Sequence, residues 1–205
     1  MLKNDLFYKA MQANIPSIIK NKGYAFFTKG HYNLNIIGIR CSGTEVTNKY
    51  DDILVVIYTN NTGTHKLCFP ITTEPGNYYM TKTLGNAKGT AILVPGQYRG
   101  CWKIGYHNGK YKALVQAKPV KVYRDGNKDA IYDMAPETIN EGLFGINIHR
   151  SNEGFTRETI DMYSAGCQVF NDPKDFARFM YLCEKQSKIY GNSFTYTLID
   201  EKDLM

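Results

Sequence analysis

The chain predicts a mainly β, α+β fold: a twisted, mainly antiparallel β-sandwich or small barrel, with a helical N-terminal segment and one C-terminal helix. Three observations carry this. Between residues 34 and 123, short runs rich in β-branched and aromatic residues recur, each punctuated by Gly, Asn or Pro. The 18 glycines and 16 tyrosines favour turns and strands. Apolar residues at helical spacing are confined to the two ends of the chain.

A length of 205 residues suffices for one domain with a real core, and no Ser-, Pro- or Gly-rich linker divides it. A single domain over 1–205 is expected: a helical segment at 1–25, a core over 34–171, and a helix plus final strand over 172–205. At the start, residues 3–22 predict a helix or a pair of short helices: Leu6, Phe7, Ala10, Met11 and Ile15 recur at helical spacing, and Pro16 interrupts them. Strands are expected at 34–39, 53–58, 66–71, 90–94, 113–116 and 119–123. His107-Asn108-Gly109-Lys110 reads as a two-residue hairpin, which makes His107 a turn-flanking residue. Residues 124–142 resemble a calcium loop but lack the glutamate at its twelfth position, so a surface loop is expected. Asp172 as N-cap and Pro173 in the first turn open a helix whose stripe of Phe176, Phe179, Met180 and Cys183 faces the core. It ends near Gly191, and a strand over 193–199 closes a sheet edge.

Hydrophobic content of 43% and charged content of 21% are those of a soluble globular protein. No run reaches the roughly 18 apolar residues of a membrane span, so no stable membrane association is expected. The first residues, Met1 to Leu6, carry Asp5 and lack the apolar core of a secretory signal, which predicts synthesis in a cytoplasm. The net charge of +6 attracts polyanions. Its scatter, with no nucleic-acid-binding motif, favours an anionic bacterial wall over nucleic acid.

Chemistry concentrates in residues 144–171. Phe144, Ile146 and Ile148 alternate with Gly145, Asn147 and His149, as in a half-buried strand that leaves His149 on its open face. Eighteen positions later comes Cys167, in Tyr163-Ser164-Ala165-Gly166-Cys167-Gln168-Val169-Phe170, where small residues let backbones approach and a second short strand can follow. Two such strands side by side would bring imidazole and thiol within hydrogen-bond reach, the arrangement a cysteine nucleophile needs. The residues alone leave open an inert core cysteine and a surface histidine. Five cysteines without a Cys-x-x-Cys pair suggest neither disulfides nor a zinc knuckle. His31, His65 and His107 lack zinc-site spacing, so neither a metal nor another cofactor is expected.

His149 followed by Ser164-Ala165-Gly166-Cys167 resembles the signature of the L,D-transpeptidase catalytic domain. Upstream, Ile71-Thr72-Thr73-Glu74-Pro75-Gly76-Asn77-Tyr78-Tyr79 is similar to that family's Thr-Pro-x-Gly-x-Tyr/Phe turn, so the resemblance spans roughly residues 34–171. The spelling around His149 and Cys167 resembles a divergent branch found in bacteriophage proteins. The resemblance implies Cys167 as nucleophile, His149 as general base oriented by a backbone carbonyl, and a peptidoglycan stem peptide as substrate and partner. Backbone N–H groups at Gly166 and Cys167 become the oxyanion donors, with Ser164 bracing the turn. The chain departs from the family at Ala165, Arg150 and Val169, positions that help seat the substrate. Arg150, Asn147 and Arg157 are therefore the candidates for substrate binding. The implied activity is hydrolysis of an L,D peptide bond through a thioester, by a phage lysis or virion-associated enzyme acting on the wall after release. The alternatives are a wall-modifying transpeptidase or carboxypeptidase, and a non-catalytic wall-binding module.

Overall fold

The computed structural model describes residues 3–82 and 86–205; residues 1–2 of the expected helical segment and 83–85 of the expected core lie outside them. The strands are β1 (Asn35–Arg40), β2 (Asp52–Asn60), β3 (Gly63–Thr72), β4 (Thr90–Leu93), β5 (Gly96–His107), β6 (Tyr111–Gln116), β7 (Val120–Asp125), β8 (Asn140–Gly142), β9 (Ile148–Arg150), β10 (Gln168–Phe170) and β11 (Phe194–Asp200). The helices are α1 (Lys3–Gln12), α2 (Ile15–Asn21) and α3 (Pro173–Tyr190). Eight strands close into a barrel in the order β1-β11-β5-β6-β9-β10-β3-β2, and β4-β7-β8 form a second, smaller sheet.

The barrel explains why β1 and β2 are apolar without interruption. Ile36, Leu54 and Val56 point into the main core, while Ile37, Ile39, Ile53, Val55 and Ile57 pack against Leu6, Ala10, Ile15 and Ile19 of α1 and α2. Both faces are covered, so polar alternation disappears. The N-terminal segment is the expected pair of short helices, but Pro16 does not make the break: α1 stops before Asn14, which caps α2 by accepting from Ser17 N–H, and Pro16 lies in the first turn of α2. Met11, expected on the apolar face, is 44% exposed.

The sheets are mainly antiparallel, as expected, but the barrel is mixed. β1 runs parallel to β11 and β9 parallel to β10; the remaining ladders are antiparallel. Each parallel pair needs a long crossover. For β9 and β10 the crossover is residues 151–167, and the chain arriving at β11 does so through α3. The expected edge strand is thus an interior one, hydrogen-bonded to β1 and β5. α3 lays Phe176, Phe179, Met180 and Cys183 into the main core, starts on the Asp172 side chain and stops at Gly191.

The 12-residue β5 escapes the sequence pattern because three glycines and two cations interrupt its apolar positions. Its anchor is Trp102, fully buried, whose indole N–H donates to Ile146 O at 2.7 Å. The hairpin from β5 to β6 turns at Asn108 and Gly109, both at positive φ as a type I′ turn requires. Residues 124–142 are less of a surface loop than expected: Asp125 and Tyr132 are buried, and 140–142 pair with β7 as β8. No helix among the described residues is long and apolar enough to cross a membrane.

Candidate active site

Three short elements build the site. The strand expected over 144–149 is only Ile148–Arg150, because Gly145 sits at φ +73° and breaks the extended run. The β9 and β10 ladder pairs Ile148 with Gln168 and His149 with Val169. One step back along that register, Asn147 faces Cys167: Gln168 N–H donates to Asn147 O at 2.9 Å, and Asn147 N–H donates to Cys167 Sγ at 3.4 Å. Cys167 and His149 are therefore diagonal neighbours on one face of a parallel pair. With strands about 4.8 Å apart and a rise of about 3.3 Å per residue, their Cα atoms are separated by about 8 Å.

The turn before Cys167 is fixed by sterics and by a serine. Gly166 lies at φ +115°, and a Cβ there would collide with the carbonyl oxygen of Ala91 on β4. Ser164, fully buried, accepts from Gly166 N–H at 3.2 Å and donates to Cys167 O at 2.9 Å. The expectation of a Gly166 oxyanion donor is corrected by this bond, since that N–H already has an acceptor. Cys167 N–H, which has no acceptor among the described residues, is the donor left. The upstream turn reaches the same place: Gly76 N–H donates to Ser164 O at 2.9 Å, and a Cβ on Gly76 would strike the Asp161 carbonyl.

His149 is not on an open face; it is 5% exposed. Its ring stacks on His107, centroids 3.9 Å apart at 18°. Nδ1 lies 2.9 Å from Arg150 O and 3.3 Å from Tyr111 Oη, while Tyr111 O–H donates to the same carbonyl at 2.9 Å. A carbonyl oxygen only accepts, so His149 Nδ1 carries the proton and Nε2 carries the lone pair. That is the tautomer a base needs. Burial, then the neighbouring His107, pushes His149 down to about 3, against the Arg150 carbonyl, which favours the charged form.

The expected thiol–imidazole hydrogen bond is not formed. Cys167 S–H donates to Gly145 O at 3.3 Å, and burial raises the thiol to about 11 against the Asn147 N–H, which lowers it. Cys167 is only half-buried, and water reaching it offsets part of that rise. Burial also raises Cys41 to about 12 and Cys68 to about 11. Acidity does not set Cys167 apart; its neighbours do. The resting pair is a neutral thiol beside a neutral imidazole, suited to proton transfer during attack rather than to a preformed thiolate.

The expected substrate-binding residues separate. Asn147 is internal to the site: its Oδ1 accepts from Gln116 N–H at 2.9 Å and its Nδ2 reaches His107 Nδ1 at 3.1 Å. Arg150 sets its guanidinium over the Tyr111 ring at 4.5 Å and pairs with the exposed Glu153 at 3.5 Å. Arg157 lies against Tyr163, donating to its hydroxyl at 2.7 Å and stacking on its ring at 3.9 Å. Two further residues belong to the site: Tyr111, which sequence reasoning misses, and His107, expected only to flank a turn or to stand in for His149 as base. They are cross-strand partners at the mouth of the Asn108-Gly109 hairpin, and only the pairing of β6 with β9 brings them to His149. No three or more His, Cys, Asp or Glu among the described residues are arranged to hold a metal ion.

Comparison with protein-family models, with curated proteins and with solved structures returns no match for this chain.

Proposed function

We propose that the protein is a cysteine-dependent hydrolase of peptidoglycan stem peptides with a catalytic domain of the L,D-transpeptidase type, cutting at an L,D peptide bond through a thioester. The observation that carries this reading is the placement of Cys167 and His149 on one face of the β9 and β10 pair, with His149 held as the Nδ1–H tautomer by Arg150 O and Tyr111. Cys167 Sγ attacks the substrate carbonyl carbon as its proton passes to His149 Nε2. The tetrahedral oxyanion takes the Cys167 N–H. His149 then gives the proton to the departing amine, leaving a thioester on Cys167, and a water deprotonated by His149 releases the acid and restores the thiol. The resemblance around Cys167 supports the wall as substrate and a phage lysis or virion-associated role after synthesis in the host cytoplasm.

The non-catalytic wall-binding module is the second reading, favoured by the raised Cys167 thiol and its bond to Gly145 O. Incubation with purified muropeptides, read by mass spectrometry, separates the two. Shortened stem peptides and an acyl adduct on Cys167 are expected. Unchanged muropeptides, an unmodified Cys167 and retained wall binding would establish the module instead. Joined peptides would identify the transpeptidase.

A further inference from the structure

We propose that His107 is a positioning residue for the Cys167–His149 pair, locked by Asn147 as a neutral Nε2–H imidazole so that the stacked His149 alone takes up the thiol proton. The inference rests on the Cys167–His149 reading and extends it to the histidine stacked on His149.

The lock follows from donor and acceptor counting. Gln116 N–H donates to Asn147 Oδ1, and this bond fixes which end of the amide is oxygen. Asn147 Nδ2, a donor only, then faces His107 Nδ1 at 3.1 Å, so Nδ1 must accept. A proton on that nitrogen would set two donors against each other. His107 Nε2 lies 3.1 Å from Asn108 Nδ2, a second donor, so the Nε2–H form requires the Asn108 amide to turn over and present Oδ1; Asn108 is exposed in the hairpin turn, and no other described residue holds its amide in place. The two stacked rings thus hold opposite tautomers, His149 with its proton on Nδ1 and His107 with its proton on Nε2.

The surroundings reinforce a neutral His107. The groups around it are His149, Tyr111 at 5.6 Å between rings, and Lys110 in the adjoining turn; Arg150 stacks on the far partner Tyr111 and Cys167 follows beyond Asn147. No carboxylate is among these neighbours, and burial and Lys110 both disfavour its charged form. Two imidazolium rings at 3.9 Å would repel, so only one of the pair can be charged, and the Asn147 bond decides which.

Nitrogen-15 spectra of the histidine-labelled protein read the tautomers directly, whether or not it turns over substrate. His107 is expected to keep the Nε2–H pattern throughout the pH range in which the protein stays folded. Asn147→Asp keeps the oxygen that accepts from Gln116 N–H and offers His107 Nδ1 a carboxylate, so His107 should become protonated near neutral pH. In muropeptide turnover, the acid limb of kcat/KM should then follow the protonation of His107 and move up by about one pH unit or more, because below that point the cation stacked on His149 keeps its imidazole from taking the thiol proton. Adding His107→Phe, which keeps a stacking ring without a titratable nitrogen, should return the limb to its wild-type position. A purely structural role for Asn147 would not allow that rescue. A wild-type His107 that titrates near the ordinary histidine value, or a limb unmoved in Asn147→Asp, would overturn the inference while leaving the Cys167–His149 pair intact. Absent turnover with the lock confirmed would instead sink the enzyme reading.

Discussion

Two buried polar regions of the barrel treat ionisable groups in opposite ways. At the ends of β1 to β3, Arg40 donates to Thr73 Oγ1, Thr73 O and Leu93 O, and lies 3.3 Å from Glu74, while Asp52 accepts from Cys41 N–H and Thr73 N–H at 2.7 and 2.6 Å. These bonds tie the ends of β1, β2 and β3 to one another and to Leu93 on β4 of the smaller sheet. At β9 and β10, His149 is held through one nitrogen only, and Cys167 by two sulfur contacts longer than 3.2 Å. The lesson is that burial alone does not mark a reactive site. A buried polar cluster whose members are tied to the backbone of several strands acts as a clamp, and one whose members are oriented but keep a lone pair or proton to exchange can do chemistry.

The sharpest way to break this contrast is Cys167→Ala. Turnover of muropeptides should vanish while the thermal transition stays in place, since alanine fits among Ser164, Ala165 and Gly166. In the wild type a thiol reagent should label Cys167 ahead of Cys68 and Cys183. Uniform labelling of all five thiols in the folded protein would put Cys167 in the inert class.

Next in size is His149→Ala, expected to slow acylation about 10²- to 10⁴-fold with substrate binding nearly unchanged, the range for a positioned general base. Single-turnover kinetics would show it, and near wild-type acylation would move the base elsewhere.

The two regions should also respond to pH with opposite sign. His149 is pushed from about 6.5 in the unfolded chain to about 3 in the fold, so the unfolded state binds the extra proton and the fold loses stability as pH falls below about 6.5. Asp52 is pushed up to about 6 from 3.8, chiefly by burial and then by Asp51, so here the fold binds the extra proton and loses stability as pH rises from about 4 to about 6. Full shifts correspond to about 5 kcal/mol for His149 and about 3 kcal/mol for Asp52 as upper values. Denaturant unfolding across pH should show the wild type losing its advantage over His149→Ala on the acid side, and over Asp52→Asn on the neutral side. Slopes of the same sign would end the comparison.

The smallest effect concerns Arg150. Stacked on Tyr111 and paired only with the exposed Glu153, it keeps donors for a substrate carboxylate beside the site. Arg150→Ala should lower kcat/KM for an acidic stem peptide about tenfold, in line with about 1.5 to 3 kcal/mol for a hydrogen bond to a charged group. Amidating that carboxylate should cost the wild type the same factor and the variant almost nothing. Additive losses would show that Arg150 does not touch the group.

What the sequence determined by itself was local: every strand between residues 34 and 125 except β5, the capped helix from Asp172 to Gly191, the hairpin at Asn108-Gly109, and the separate candidacies of Cys167 and His149. Each rests on periodicity, capping or turn chemistry within about a dozen residues, and such forces are written in the chain. Tertiary structure alone decided the rest. Closure of the barrel turned a final strand into an interior one and made two ladders parallel, because strand order depends on crossovers that no local pattern encodes. Pairing of β6 with β9 carried His107 and Tyr111 to His149 across some 40 residues of chain, and this contact buried the imidazole expected on an open face. It also assigned the histidine tautomers, since a proton's place on a ring is set by the acceptor that meets it in space.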